Sequence, residues 1–433
     1  MNVFSKLNQL LFPASKEYPK LGAGKMTLLG LQHAFAMSCA TILVPILTGL
    51  DVSVALFAAG VGTLIFHLCT KGRMPTFLGS SFAFIAALQA VIGNDDPTMN
   101  MTPMFGTEAE SIPYALGGII VAGGIYVVLA LLIKLFGSRF MDKLFPPVVR
   151  GVGIAIIGLN LASAAINNIQ GNGVELFSAQ YYWSWGIAIA VCLTAVILSS
   201  YGKGMVSAAA VLGGMIVGYV IAAIFGYINF SPISEAAWFA VPRPMAFGKL
   251  EFHLNFVLVF ILLFFINAVE MSGDFTVSAT GGLNRQPKNE ELRGGIIANG
   301  IACIFSSFFN CFATGTYSQC SGIVALTKVC NRWVMGWGAI TLTAAAFCPK
   351  LASVLSTIPS CVIGGATIVV FSMICMSGMS LVARARFTNR AMLICGPALA
   401  LGLGISLAKD TLSGMGEYVQ MFFGESSIIL VAG

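Results

Sequence analysis

The sequence predicts an all-α polytopic membrane protein of fourteen segments, arranged as two inverted repeats of seven. Three observations lead to this prediction. Of the 433 residues, 57% are hydrophobic and only 9% are charged, whereas soluble domains are about 25% charged. The apolar runs extend along the whole chain and leave no room for a soluble catalytic domain. The third and the tenth segments share an irregular composition, seven segments apart.

Each segment is a run of mostly apolar residues, with boundaries uncertain by several residues. The last run is too short to cross a bilayer, which needs about 20 apolar residues, and we expect it to be truncated. The expected segments are 26–49, 51–70, 76–94, 113–136, 146–168, 182–199, 203–226, 254–278, 292–313, 315–331, 333–357, 361–382, 388–408 and 425–433.

The third and tenth segments open with Gly, Ser and Thr, at Thr76–Ser81 and Thr314–Gly322. Too few good helical residues follow for a full span, so each is predicted to be a short strand followed by a half-helix. Irregular backbone at membrane depth is tolerated only inside protein or beside a cavity. A second pair of openings, Phe145–Pro147 and Ile358–Ser360, has the same seven-segment spacing. Because seven is odd, the repeats are inverted, and such paired broken helices indicate a binding site near the midplane.

The basic residues indicate the orientation of the chain. Most of the 23 Lys and Arg residues lie in the N-terminal part, 1–25, and in one set of alternating loops. By the positive-inside rule that set is cytoplasmic, and residues 1–25 form a cytoplasmic N-terminal segment. The net charge of +6 therefore indicates topology and not nucleic-acid binding. The exceptions on the other side are Arg243, Lys249, Lys350 and Lys409.

The 11 Cys residues form no CxxC pair and no ligand-like cluster, and nearly all lie in apolar segments. We interpret them as small hydrophobic residues in helix packing. No nucleophile–base set appears either. The sequence therefore predicts neither an enzyme nor a metal site.

Two carboxylates fall deep inside the eighth segment. Glu270 and Asp274 are four residues apart, so on a helix they share one face. A charged side chain at the centre of the bilayer costs about 2.5–3.5 kcal/mol on insertion scales. We interpret the pair as a substrate and proton site, and the alternative is a structural pair held by hydroxyl or imidazole donors.

Three other residues are candidates for this site. Gln319, at the start of the second half-helix, has an amide that can pair with a planar heterocycle, although such residues are more often caps. Phe82, at the start of the first half-helix, offers a main-chain N–H and a ring for stacking, although a single Phe usually serves packing. His33 is either a structural group or a partner of the acids.

Five motifs occur in order along the chain: Gln32-His33, Gly79–Phe84, Phe145–Val148, Glu270–Asp274 and Gln319–Lys328. Together they resemble the nucleobase-ascorbate transporter family of nucleobase–cation symporters along nearly the full chain. The last motif is similar to the family signature, which begins with Gln, Glu or Pro and continues with Asn.

The resemblance implies a two-domain transporter that works by an elevator motion. Its core domain would comprise 26–136 and 254–357, and its gate domain 146–226 and 361–433. The cargo would bind between them, and the protein would form a homodimer through the gate domains, in the inner membrane of a bacterium.

The resemblance also assigns roles to residues. Glu270 would bind the cargo, with Phe82, Ser318 and Gln319 as further substrate-binding residues. Asp274 matches an acid of purine-type members, where uracil-type members tend to have His, and Gln319 is typical of xanthine and uric acid carriers. Glu270, Asp274 and His33 would couple transport to a proton, without another cofactor. The resemblance thus implies a proton symporter that imports xanthine or uric acid.

Three residues depart from the family pattern. Cys320 stands where the signature has Asn, Arg150 where relatives often have a small polar residue, and Asn299 where some purine carriers are acidic. A uracil or other pyrimidine permease is the alternative within the same class. An anion carrier of the sulfate-transporter type, which has the same architecture, is the alternative from another class.

Overall fold

The computed structural model describes residues 22–92, 107–137, 146–170, 177–203, 205–384 and 388–407. Most of residues 1–25 and the expected fourteenth segment, 425–433, therefore lie outside the described residues. The first half of the chain contains α1 (Ala23–Thr48), α2 (Val52–Cys69), β1 (Leu78–Ser80), α3 (Ile85–Ile92), α4 (Glu108–Gly123), α5 (Ile125–Phe136), α6 (Pro147–Gln170), α7 (Ala179–Tyr201), α8 (Met205–Ala208) and α9 (Ala210–Ile224).

The second half begins with a short helix and then repeats the pattern of long helices around one irregular segment. It contains α10 (Ser231–Glu235), α11 (Leu254–Leu283), α12 (Asn289–Phe308), β2 (Thr314–Thr316), α13 (Ser318–Thr327), α14 (Arg332–Ala346), α15 (Pro349–Ser356), α16 (Ser360–Arg384) and α17 (Asn389–Leu407).

The prediction for the third and tenth segments is confirmed. In the third, β1 is followed by a 3-10 turn over Phe82–Phe84 and then by the two turns of α3. In the tenth, β2 leads into the ten residues of α13. The two strands pair with each other in antiparallel fashion, a contact that the composition of the two segments did not predict.

Helix boundaries follow local chemistry. α1 ends at Gly49, whose φ of 72° is left-handed and suits glycine. The next helix, α2, begins after Asp51, whose side chain accepts a hydrogen bond from the main-chain N–H of Ser53. At the start of α4, Thr107 and Glu110 form a reciprocal capping box.

The expected segment 333–357 is not one straight span. It consists of α14 and α15, which meet at a bend of 82°. Pro349 is the first residue of α15, and proline lacks the N–H needed to continue the preceding helix. A bend there leaves no main-chain donor unpaired at Pro349.

Among the described residues, six helices are long and apolar enough to cross a membrane, or seven if α14 and α15 count as one span. The helices pack in two groups. One group contains α1, α2, α4, α5 and α11 to α14, around the two strands, and the other contains α6, α7, α9, α16 and α17. The groups meet mainly where α8 and α9 contact α1 and where α6 contacts α11.

Glycine allows close helix approach inside each group. In the first, a Cβ on Gly60 of α2 would lie 2.2 Å from the hydroxyl of Thr343 on α14. In the second, a Cβ on Gly158 of α6 would lie 2.5 Å from the main-chain nitrogen of Cys375 on α16. Such backbone contacts replace side-chain packing between helices in lipid and make each group a closely packed unit.

Candidate functional site

The centre of the first helix group is the crossing of β1 and β2. Gly79 lies opposite Gly315, with Leu78 opposite Thr316 and Ser80 opposite Thr314. Both half-helices begin directly after this crossing, so their N-terminal N–H groups point to the same region.

Tyr317 joins the two crossing segments. Its hydroxyl donates to the main-chain oxygen of Ser80 at 3.0 Å and shares a hydrogen bond of 3.1 Å with Thr41 of α1. Its ring occupies the space beside Gly79, where an added Cβ would lie 2.4 Å from a ring carbon. Glycine is therefore required at this position of β1.

The main-chain oxygen of Thr314 is held by three donors. The side-chain amides of Asn299 and Asn267 donate to it at 2.9 and 3.1 Å, and the thiol of Cys303 lies at 3.4 Å. The Thr314 hydroxyl in turn donates to the amide oxygen of Asn299 at 3.0 Å. Asn299, a departure from the family pattern, thus fixes the position of β2 through neutral hydrogen bonds.

Glu270 and Asp274 lie on successive turns of α11, beside β2. The Thr316 hydroxyl donates to Oδ2 of Asp274 at 2.6 Å, and the side chain of Ser318 also interacts with this carboxyl group. Asp274 is only 5% exposed, Glu270 is partly buried, and the two groups interact electrostatically. The structure therefore places two neighbouring acids against the start of α13.

His33 and Cys320 contact each other next to these acids. Nδ1 of His33 lies 3.6 Å from the sulfur of Cys320, and both side chains are almost completely buried. Cys320 also interacts electrostatically with Asp274. The thiol that replaces the signature Asn is thus the neighbour of the imidazole in α1.

Phe82 lies where the two helix groups meet. Its ring packs edge-on against Phe371 of α16, with 5.7 Å between the centroids. Ser318, at the start of α13, is exposed. Gln319 follows it in the first turn, but its side chain lies outside the described part of the structure, as does that of Arg150.

A cavity of about 490 Å³ lies between the two helix groups, within the range of about 300–1,000 Å³ that is usual for small-molecule sites. Glu270 and Asp274 do not line it, but Gln32, which precedes His33, and Gly322, one turn after Gln319, do. Residues of α16 also line it, and the sequence analysis missed them because nothing in a uniformly apolar helix marks one face. The lining residues include Gln32, Ala36, Gly322, Ile323, Val370 and Met373, together with residues of α7 to α9.

A model of the permease family (Xan_ur_permease) matches residues 24–411 of the chain. The chain belongs to this family, that of the nucleobase-ascorbate transporters. The matched range includes both strands, both half-helices and the paired acids, so the site described above lies wholly within it.

Individual relatives are similar over nearly the whole chain. The probable uracil permease of Pasteurella multocida (strain Pm70) is 34% identical over 398 residues, which are 90% of this chain and 90% of the relative. The uric acid permease PucJ of Bacillus subtilis (strain 168) is 29% identical over 428 residues, which are 93% of this chain and 90% of PucJ. The chain is therefore a nucleobase-family permease.

A solved structure has the same fold. The transmembrane domain of the bicarbonate transporter BicA from a cyanobacterium superposes with a TM-score of 0.64, over 88% of this chain and 95% of that domain. The sequence identity is 15%, so the likeness concerns the fold alone. It confirms the inverted-repeat architecture predicted from the sequence.

Proposed function

We propose that this chain imports an oxidised purine base, xanthine or uric acid, together with a proton. One observation carries the proposal: Glu270 and Asp274 are held side by side, deep in an apolar helix, against the start of a half-helix. Ionisable groups at such depth mark substrate and proton sites. Family membership supplies the class of cargo, a nucleobase.

The chemistry of the cargo suits this site. Xanthine and urate present alternating N–H and C=O groups on their edges. A carboxylate of Glu270 accepts hydrogen bonds from ring N–H groups, and the free main-chain N–H groups at the start of α13 donate to ring carbonyls. The positive end of the α13 dipole further favours an electron-rich cargo.

The remaining candidate residues would take substrate-binding roles that suit such a cargo. Phe82 supplies an aromatic face at the start of the first half-helix, on which a flat ring stacks. Ser318 is exposed and offers a hydroxyl beside Asp274. The Gln319 amide both donates and accepts hydrogen bonds, which matches the alternating edge of an oxidised purine.

Uracil is the second candidate cargo. The relative from Pasteurella multocida is named a probable uracil permease and is more similar to this chain than PucJ is, at 34% against 29%. Identity over the whole chain averages hundreds of residues, whereas the choice of cargo depends on a few contacts in the site. Asp274 and Gln319 are therefore the basis for ranking the purines first.

Proton coupling would follow from the charge of the site. Two ionised carboxylates on neighbouring turns repel each other and are poorly solvated. A proton shared by the Glu270/Asp274 pair removes one of these charges when the cargo enters. His33 would take part through its contact with Cys320, which lies beside Asp274.

The proposed motion is an elevator in which the core domain slides against the gate domain. Two observations support it: each helix group is closely packed within itself, and the cavity lies between the groups. The gate domains would pair in a homodimer. The orientation with a cytoplasmic N-terminus, in a bacterial cell membrane, rests on the distribution of Lys and Arg.

Uptake into proteoliposomes tests the proposal. Radiolabelled xanthine, urate and uracil are supplied with and without an inward proton gradient, to wild type and Glu270→Gln. We expect gradient-driven uptake of a purine by the wild type and none by the variant. Uptake of uracil alone would refute the purine assignment. Uptake at the same rate with and without the proton gradient would refute proton coupling.

A further inference from the structure

Three buried serines of the first helix group have no hydrogen-bond partner among the described residues, and two of them lie on the neighbouring helices α11 and α13. The hydroxyl oxygens of Ser278 on α11 and Ser321 on α13 are both enclosed and unbonded, and the residues are 0% and 1% exposed. A buried hydroxyl without a partner costs about 1–3 kcal/mol.

These serines differ from their neighbours in the membrane helices. The hydroxyls of Ser272 and Thr276, on the same helix, donate to main-chain oxygens one turn earlier at 2.9 and 2.8 Å. That bond satisfies a hydroxyl within its own helix. Ser278 and Ser321 do not make it, so their hydroxyls are available to a ligand between the helices.

The contacts between α11 and α13 place the two serines together. Asp274 contacts Ser318 near the start of α13, and Gly281 faces Ala325 near its end. Both pairs are 44 positions apart, so the two helices run in the same direction and in constant register. At that offset Ser278 lies level with the turn that contains Ser321.

Asp274 is the third polar group beside the two serines. The two residues are four apart on α11 and therefore neighbours on one face. Oδ2 of Asp274 is bonded to Thr316, but a carboxylate can accept several further hydrogen bonds. About one turn beyond the two serines, α11 and α13 touch, since a Cβ on Gly281 would lie 2.4 Å from the Cβ of Ala325.

We infer that Ser278 and Ser321 bind a water molecule next to Asp274, and that this water passes the coupling proton to the carboxylate. This inference rests on the proton coupling proposed above. Buried waters typically make about three hydrogen bonds to otherwise unsatisfied polar groups, and two hydroxyls with one carboxylate meet that number.

The proton step at this site balances as follows. The water gives one proton to Asp274, and a second proton from the solvent side replaces it, so the water is regenerated. Both serines remain neutral and only reverse the direction of their hydrogen bonds. Like Asp274, neither serine lines the 490 Å³ cavity.

Replacing both serines by alanine tests the inference in proteoliposomes. In the Ser278→Ala/Ser321→Ala variant we expect gradient-driven accumulation to fall about tenfold or more, the scale of a lost proton-transfer group. Cargo exchange without a gradient, which needs no net proton transfer, should stay at the wild-type rate. This exchange also reports that the variant is folded.

Ser307→Ala is the matched control. Ser307 is equally buried and unpartnered, but it lies on α12, away from Asp274 on α11. We therefore expect this variant to transport like the wild type.

Thermal stability supplies an independent reading. If the site held no water, removing two unsatisfied hydroxyls would raise the melting temperature, and coupled uptake would be unchanged; that pair of results would overturn the water site. We expect no such rise. Gradient-independent uptake by the wild type would instead overturn the coupling itself, so the two failures are distinguishable.

Discussion

The hydroxyl of Tyr317 ties both crossing strands to α1. It donates to the main-chain oxygen of Ser80 and shares a hydrogen bond with Thr41. Tyr317→Phe removes this one oxygen and keeps the ring that packs beside Gly79. We expect the variant to fold but to hold the two half-helices less firmly.

The cost of the substitution can be worked from its partners. Thr41 loses little, because its hydroxyl also donates to the main-chain oxygen of Met37 at 3.0 Å. The buried main-chain oxygen of Ser80 loses the hydroxyl donor. One neutral hydrogen bond and one poorly satisfied buried acceptor together cost about 1–3 kcal/mol. If the loss appeared wholly in cargo binding, affinity would fall by about five- to 150-fold.

Thermal unfolding of the detergent-solubilised protein, with and without cargo, measures both effects. The control is Tyr219→Phe, since Tyr219 is only half-buried and its hydroxyl bonds to Thr357 at 2.9 Å, away from the crossing. We expect a smaller loss of stability and unchanged cargo binding in the control. Equal melting temperatures and affinities for Tyr317→Phe and wild type would refute the argument that this hydroxyl holds the site together.

Other predictions concern neighbouring contacts. Gly79→Ala should abolish cargo binding because its Cβ would collide with the facing tyrosine ring, whereas Gly336→Ala, with no atom within 4 Å of the new Cβ, should leave binding unchanged. Cys320→Ala should reduce uptake because His33 loses its sulfur contact, and Cys320→Asn should retain more activity than Cys320→Ala; equal uptake by both variants would contradict this. Glu291 forms an ion pair with Arg285, with 2.7 Å between Oε1 and Nη2. Burial raises the pKa of Glu291, but the hydrogen bonds and positive charges of Arg285 and Lys288 lower it by more, so the net shift is downward. The ionised Glu291 therefore stabilises the fold fully above the ordinary glutamate pKa of about 4.3, and this stabilisation is lost as the pH falls. The melting temperature of Glu291→Gln should consequently change less between pH 7 and pH 3 than that of the wild type.

Several parts of the fold could be predicted because they depend on local composition. The Gly-, Ser- and Thr-rich openings of the third and tenth segments cannot form full spanning helices, and the structure has β1 and β2 there. The position of Glu270 and Asp274 on one helix face follows from their spacing alone. These features need no knowledge of distant residues.

Other parts depend on residues far apart in the chain. The pairing of Gly79 with Gly315 joins positions more than 200 residues apart, and no local pattern specifies such a partner. The role of Asn299 was likewise not predictable, because an amide in an apolar helix has no marked target until Thr314 is placed beside it. The bend before Pro349 was not predictable, because apolar residues continue beyond the proline and the run reads as one segment, 333–357.

By itself the sequence determined that the chain lies in lipid, that its two halves repeat with opposite orientation, and that two acids sit deep in one helix, since hydrophobicity and helical spacing are properties of neighbouring residues. The tertiary structure alone decided that Asp274 is bonded to Thr316, that Phe82 meets Phe371, and that a cavity opens between two helix groups. Those contacts depend on the distances between helices, which follow from the packing of the whole chain.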